Sequence, residues 1–259
     1  MNFIDTHSHL DGVEFKDDFA DVLQRAKSVG ASKVFVPAIN FETSQNIINL
    51  ASQHKNFIYA MIGLHPEEVK ANFKEELAQI TTLLSDESYI AIGEVGLDFY
   101  WSREFEEQQI EAFEEQVKWA INKKMPLMIH CRKAQNEMMK ILRKYSSSLC
   151  GGVFHCFTGN EHEAEELLEF SNFALGIGGV STFKSSKLGE TLANVVPLTR
   201  LVLETDSPYM APVPMRGKRN EPSFVPFVIE KLAQSYNVSP EKIAQQTTEN
   251  ALKIFTKAI

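Results

Sequence analysis

The sequence has no long apolar run and few cysteines. No stretch approaches the ~20 consecutive apolar residues that a membrane-spanning helix needs, and the N-terminus has neither the basic stretch nor the apolar segment of a signal peptide. The three cysteines, Cys131, Cys150 and Cys156, form no CxxC pair and indicate no disulfide framework. Together these absences predict a cytoplasmic protein that does not enter a membrane.

An excess of positive charge is also missing. Lys and Arg number 26 against 34 Asp and Glu, so the formal net charge is −8. This balance disfavours broad, sequence-independent adhesion to nucleic acid, although it leaves room for a local basic rim around an active site. With 259 residues, 44% of them hydrophobic, the chain is long enough to bury a large core.

Short apolar runs alternate with longer amphipathic stretches along the chain. Eight of these runs are predicted strands: NFIDTHSH, KVFVPAI, FIYAMIGLH, YIAIGEVGLD, PLMIHC, GGVFHCF, FALGIGG and RLVLETD. They follow one another every 29 residues or so on average, a spacing of about 30 residues being typical of a βαβ unit. The pattern predicts one (β/α)8 TIM-barrel domain over residues 1–259 that ends in two extra helices, the last beginning with Ser239 as N-cap and Pro240 as first residue.

Polar side chains stand near the ends of these runs. If residues 2–9 form a strand, alternation places Asp5, His7 and His9 on one face. Five more polar residues lie in or at the ends of later runs: His65, Glu94, His130, His155 and Asp206. In barrels of this kind the C-terminal strand ends carry the active site, because the βα loops converge there.

Several polar residues at the strand ends are stronger evidence for a functional site than one such residue. A single strand-end histidine is usually a half-buried residue with an ordinary hydrogen bond. Four imidazoles and two carboxylates at one barrel mouth, however, would compete for few partners unless a cation binds them. The sequence therefore predicts a divalent-metal site with the ligands His7, His9, Glu94, His130, His155 and Asp206.

The number of candidate ligands indicates two ions. One catalytic ion usually takes about three protein ligands, and six are present. A carboxylate can bridge two ions, and Glu94 lies on a run between the two histidine sets, so it is the predicted bridge. Two ions about 3.5–4 Å apart suit hydrolysis of phosphate esters, since one activates water while both hold charged oxygens. Mg²⁺, Mn²⁺ and Zn²⁺ all remain candidates.

The chain contains, in order, DTHSHL, GLHP, GEVGLDFY, PLMIHCR, GVFHCFTG, LETDSPYMAP and RGKRNEP. This series resembles the signature segments of TatD-family metal-dependent hydrolases, in the amidohydrolase-like superfamily, from residue 4 to about residue 255. The resemblance implies one ion bound by His7, His9, Glu94 and Asp206 and a second bound by Glu94, His130 and His155.

The resemblance also implies nuclease activity on DNA, often 3′ to 5′ exonucleolytic, with single-stranded DNA or 3′ ends as the substrate. One position departs from the family. Lys133 stands in the segment after His130, where family members usually have an aspartate or glutamate. This difference bears on substrate preference and not on metal binding.

Four residues are candidates for a catalytic role: Glu94 as the bridge, and Asp206, Glu204 and His65. Asp206 is predicted to accept a proton from the attacking water. Glu204 lies two residues earlier and faces the same interior, where it orients a ligand histidine, transfers a proton or forms a buried salt bridge. His65 either donates to a phosphate or leaving group or makes a structural hydrogen bond in the GLHP turn.

Arginines on the predicted loops above the barrel are candidates for substrate binding. Arg132 follows His130, and the segment RGKRNEP concentrates Arg216, Lys218 and Arg219 in the loop after the eighth strand. A single exposed arginine is usually just solvated. Three cations near Asp206, in an otherwise acidic protein, predict a phosphate-binding site in which guanidinium groups contact the oxygens.

Two other classes stay open at this point. A related barrel hydrolase that acts on lactones, amides or phosphotriesters shares the HxH start, but many of those enzymes bridge their metals with a carboxylated lysine where this chain has Glu94. A noncatalytic metal-binding barrel is expected to have lost ligand positions, and none is lost here. The sequence indicates no obligate protein partner. It leaves open the native metal, DNA versus RNA, cleavage polarity and the oligomeric state.

Overall fold

In a computed structural model that describes residues 1–259, eight short strands alternate with helices. The strands are β1 (Phe3–Asp5), β2 (Ala31–Pro37), β3 (Ile58–Met61), β4 (Ile92–Asp98), β5 (Leu127–Arg132), β6 (Gly152–Phe154), β7 (Phe173–Ile177) and β8 (Leu201–Leu203). Most are shorter than the apolar runs that predict them. Of the predicted metal ligands, only Glu94 and His130 lie inside strands, and the others follow a strand end.

Nine α-helices accompany the strands. They are α1 (Phe19–Ser28), α2 (Phe41–Gln53), α3 (Phe73–Leu83), α4 (Glu106–Lys123), α5 (Gln135–Tyr145), α6 (Glu161–Leu168), α7 (Leu188–Val195), α8 (Val225–Tyr236) and α9 (Pro240–Ile254). The predicted start of α9 is confirmed, since the Ser239 side chain accepts a hydrogen bond from the Lys242 N–H and Pro240 is the first helical residue. None of these helices combines the length and apolar character needed to cross a membrane.

The strands pair in parallel in two sheets, in the orders β1-β2-β3 and β4-β5-β6-β7-β8. Single parallel bridges link the sheets at both junctions, between Ile62 and Ile92 and between Ser8 and Ser207. The order of strands and helices confirms the predicted α/β fold of TIM-barrel type. The expectation of a single domain over residues 1–259 stays a prediction.

The apolar core has two layers. A cluster of 59 buried residues lies largely between the strands and the surrounding helices. A second cluster of 12 buried residues includes Met128 and Val153, and the predicted ligands His130 and His155 lie two residues further along the same strand faces. Phe255, directly after α9, closes the opposite end of this cluster, with its ring centroid 5.0 Å from that of Phe35. Met128 and Val153 of this second cluster therefore lie on the same strand faces as two of the predicted ligands, one layer deeper in the interior.

Candidate metal centre

Glu94 lies at the centre of the polar cluster and is almost completely buried. Its Oε2 lies 3.1 Å from His7 Nε2 and 3.4 Å from His9 Nε2. Its Oε1 lies 2.9 Å from His130 Nδ1 and 2.8 Å from His155 Nε2. Each carboxylate oxygen therefore faces a different pair of histidines, as a carboxylate that bridges two ions must do.

Asp206 completes the first of these groups. Its Oδ1 lies 3.7 Å from the Nε2 atoms of both His7 and His9. The residue follows β8 with a positive φ of 54°, which is uncommon for a non-glycine residue and turns its side chain toward the cluster. Burial raises the pKa of Asp206 to about 6, although nearby His155 and His9 act in the opposite direction.

The hydrogen bonds of the histidines determine which nitrogen each can offer. His130 Nε2 lies 2.8 Å from Asp98 Oδ2, so a neutral ring donates there and keeps the Nδ1 lone pair for the cluster. Burial alone would lower the pKa of His130, but the hydrogen bonds to Asp98 and Glu94 outweigh it and raise the pKa. His155 directs Nε2 at Glu94 Oε1, while its Nδ1 lies 3.6 Å from Glu204 Oε1, which accepts a hydrogen bond from the Cys156 N–H instead.

His65 differs from the four predicted histidine ligands. Its Nδ1 accepts a hydrogen bond of 3.1 Å from the Glu67 N–H at the start of a short 3₁₀ turn. A neutral His65 therefore carries its proton on Nε2, which lies 3.3 Å from Glu94 Oε1. This tautomer presents an N–H donor to the site. One ring thus makes the predicted hydrogen bond of the GLHP turn through Nδ1 and offers the predicted donor through Nε2.

The donor set fits divalent metal. Four buried side-chain atoms have no hydrogen-bond partner: His7 Nδ1, Glu94 Oε2, His155 Nδ1 and Glu204 Oε2. Glu94 Oε2 is close to two imidazole nitrogens yet in no hydrogen-bond geometry with them, which is the arrangement of ligands that converge on a cation. Three overlapping groups of residues have ligand atoms within 4.8 Å of one another: His7–His9–Glu94, His7–His155–Asp206 and His65–Glu94–His130. Nitrogen and carboxylate oxygen atoms in such groups suit Zn²⁺ and Mn²⁺.

One supporting residue, Asp98, was not identified from the sequence, and another, Asp5, was expected beside His7 and His9. Asp98, in the segment GEVGLDFY, orients His130, and its position at the end of β4 beside β5 was the signal that could have revealed it. Asp5 does not join His7 and His9, because β1 ends at Asp5 and the alternation stops there. Its carboxylate instead accepts hydrogen bonds from the N–H and the hydroxyl of Thr205, at 3.0 and 2.7 Å, and so links the starts of two ligand-bearing segments.

The three predicted substrate-binding arginines lie in different surroundings. The Arg219 guanidinium makes two hydrogen bonds of 2.8 Å to Asp18. The Arg216 guanidinium is exposed and lies 4.0 Å from the centre of the Phe183 ring. The Arg132 guanidinium lies 3.6 Å from the centre of the Tyr100 ring. The structure therefore brings the predicted ligands together but disperses the arginines, whose role in substrate binding stays a prediction.

The chain matches known proteins over nearly its whole length. A family model described as TatD related DNase matches residues 4–256. A Bacillus subtilis relative, the uncharacterized metal-dependent hydrolase YabD, is 38% identical over 251 residues, which cover 97% of this chain and 98% of the relative. An Erwinia amylovora relative named 3′-5′ ssDNA/RNA exonuclease TatD is 34% identical over 254 residues, 95% of this chain and 97% of the relative.

Solved structures show the same fold. The crystal structure of the TatD homologue YjjV from Escherichia coli superposes with a TM-score of 0.91 at 31% identity and covers 98% of both chains. A TatD-family hydrolase from Entamoeba histolytica superposes with a TM-score of 0.83 at 22% identity, over 99% of each chain, which shows the fold alone.

Proposed function

Since this chain belongs to the TatD family of metal-dependent hydrolases, we propose that it is a nuclease that removes nucleotides from the 3′ end of single-stranded DNA. The family model is described as DNase, and the Erwinia relative is named an exonuclease of single-stranded DNA and RNA. DNA is the proposed substrate, and RNA is the comparison that the experiment includes.

The observation that carries the proposal is the position of Glu94 between two groups of donors. His7, His9 and Asp206 lie on the side of Oε2 or near it, and His130 and His155 lie on the side of Oε1. These are the residues that would hold two divalent ions, with Glu94 shared. Imidazole ligands favour Zn²⁺, whereas carboxylates also suit Mn²⁺ and Mg²⁺, so all three ions belong in the test.

The side chains around the ions have distinct roles. When bound, divalent ions supply Lewis acidity toward phosphoryl oxygens and toward water. Asp206, which is partly open to solvent, is placed to accept the proton of the attacking water. His65 presents its Nε2–H toward the site and is placed to donate to a phosphate or leaving-group oxygen. Asp98 orients His130 by accepting its Nε2–H and thereby keeps Nδ1 free, and the Glu204 carboxylate lies near Nδ1 of His155.

The experiment compares metals and substrates in one assay. Metal-free protein is reconstituted with Zn²⁺, Mn²⁺ or Mg²⁺ and incubated with 5′-labelled single-stranded DNA, duplex DNA, RNA and a panel of lactones. We expect a ladder of shortened single strands, and no cleavage when the 3′ end is blocked. Glu94→Ala should lower turnover by about 10²–10³-fold or more, because the shared electrostatic anchor is lost. Glu104→Ala, which removes an exposed carboxylate elsewhere, is the matched control.

The alternatives predict different results. Hydrolysis of lactones without cleavage of any nucleic acid would replace the nuclease proposal with the small-molecule hydrolase. Metal binding without turnover of any substrate would favour the noncatalytic barrel. Cleavage within a strand whose 3′ end is blocked would retain a nuclease but contradict the proposed polarity.

A further inference from the structure

Exposed aromatic side chains are concentrated beside the metal cluster. Of the 18 phenylalanines, six tyrosines and two tryptophans, only Tyr100, Trp101 and Tyr209 are largely exposed, at 49%, 70% and 59%. Tyr100 and Trp101 follow β4, which carries Glu94, and Tyr209 follows β8 three residues after Asp206. Burial of aromatic rings is strongly favourable, so rings left in water at one face of a protein indicate a surface that binds something there.

Tyr100 and Trp101 form a defined pair. Their ring centroids are 4.8 Å apart and the rings are nearly perpendicular, at 83°. The Arg132 guanidinium lies 3.6 Å from the centre of the Tyr100 ring and 5.3 Å from that of Trp101. No carboxylate forms an ion pair with Arg132, so its positive charge is available to an anion. We call Tyr100, Trp101 and Arg132 the aromatic platform.

The platform is connected directly to the metal cluster. The Tyr100 N–H donates to Asp98 Oδ1 at 2.8 Å, and the other oxygen of Asp98 bonds to His130. Arg132 lies two residues after His130 on β5. A cavity of about 300 Å³ opens beside Trp101, and Asp98, Pro66 and Phe105 are among the residues that line it. Its volume is at the lower end of the range for small-ligand sites, about 300–1,000 Å³.

We propose that the aromatic platform binds the nucleobases of single-stranded substrate by stacking, next to the bond that is cleaved. This inference rests on the proposed nuclease function and adds the feature of the substrate that is recognised. Every base has a π-face, so aromatic rings hold single strands with little dependence on sequence, while a guanidinium contacts the phosphate. In a duplex the faces of the bases are stacked on one another, so the platform selects unpaired ends.

The test separates the bases from the backbone. KM and kcat are measured for a single-stranded oligodeoxynucleotide and for an abasic strand of the same length. Trp101→Ala should raise KM for the strand with bases by about tenfold and leave KM for the abasic strand unchanged. Trp101→Phe, which keeps a π-face, should restore most of the affinity. Val238→Ala, which trims an exposed apolar side chain between α8 and α9, is the control.

Tryptophan fluorescence supplies a readout that does not need cleavage. Trp101 is exposed whereas Trp119 is 7% exposed, so a stacked base should quench the signal of Trp101 and leave that of Trp119. The holoenzyme is titrated with a phosphorothioate oligodeoxynucleotide and with its abasic counterpart, as wild type and as Trp101→Phe. Quenching that is confined to the strand with bases, and lost in Trp101→Phe, supports the proposal.

Failure of the platform and failure of the nuclease function give different results. If wild type cleaves both strands with equal KM, or if Trp101→Ala leaves KM for the base-containing strand unchanged, the stacking proposal is overturned and the nuclease function stands. If wild type cleaves neither strand, the nuclease function is overturned. Quenching by the abasic strand equal to that by the strand with bases also overturns stacking, because it shows that the backbone alone is bound.

Discussion

The two sides of the metal cluster differ in what their polar groups contact. On the side of β8 and β1, Arg219 and Asn220 are held by protein partners. Arg219 bonds to Asp18, and the Asn220 side chain donates to the carbonyl oxygens of Thr205 and Tyr209 at 2.8 and 2.7 Å. The segment RGKRNEP, predicted to hold phosphate, thus fixes the loop after β8, and Arg216 and Lys218 are its exposed cations.

On the side of β4 and β5, Arg103 is paired with Glu106, but Arg132 forms no ion pair. Tyr100 and Trp101 are exposed, and the Arg132 guanidinium rests on their rings without a carboxylate partner. A charged group that already binds a protein partner would have to break that contact to bind substrate, whereas a free group need not. Substrate phosphate is therefore expected to contact Arg132 in preference to Arg219.

The largest expected effect concerns Asp98, which connects Tyr100 on the β4–β5 side with the predicted metal ligand His130. In Asp98→Asn, His130 loses the carboxylate that holds its Nε2–H, so metal affinity should fall by about 10- to 100-fold. Titration of metal-free protein with Zn²⁺ or Mn²⁺ measures the change, with Asp86→Asn, at an exposed turn, as control. An unchanged affinity would mean that Asp98 only holds the loop after β4 and does not connect that loop with the metal site.

The next effect sharpens the contrast between the two arginines. Each phosphate contact to a single strand contributes a slope of about −0.7 in log affinity against log salt. Arg132→Ala should therefore flatten the salt dependence of KM by about 0.7, because its charge is free. Arg219→Ala should leave the slope unchanged, since Asp18 already neutralises it. The comparison fails if Arg219→Ala flattens the slope and Arg132→Ala does not.

The smallest effect is on acid stability and concerns the ion pair of Asp18 and Arg219 on the β8–β1 side. Hydrogen bonds from Arg219 and Arg25 hold the pKa of Asp18 well below its ordinary value of 3.8. A lowered folded-state pKa stabilises the protein above the unfolded-state value, and this stabilisation is lost as the pH falls through the folded-state value. Tm should therefore fall less steeply below about pH 4 in Arg219→Gln than in wild type. Thermal melts from pH 6 to pH 3 measure this.

Arg216→Gln is the control for the acid melts, because the exposed Arg216 guanidinium lies on the Phe183 ring and forms no ion pair. Its acid limb should have the slope of wild type. Equal slopes in wild type and Arg219→Gln would show that the pair with Asp18 adds nothing to stability. The loop after β8 would then be held by other contacts, such as those of Asn220.

The convergence of the predicted ligands could be foreseen from the sequence, because their residue types recur at or just after the ends of strands that meet at one rim. The same reasoning could not find the partner of Asp5, since Thr205 lies 200 residues away and the contact depends on how β1 meets β8. Arg219 was interpreted as a phosphate ligand because its neighbours in sequence are cations. Its partner, Asp18, lies 201 residues away, and only the folded chain brings the two together.

Glu94 is the central residue of the proposed site, since one carboxylate is proposed to serve two ions. The most direct measurement titrates metal-free protein with Zn²⁺ or Mn²⁺ and follows bound metal by elemental analysis together with turnover of 5′-labelled single-stranded DNA. We expect two ions to bind per chain and shortening from the 3′ end to develop with the second. Full turnover with one ion per chain, or no cleavage of nucleic acid at any metal loading, would contradict this expectation.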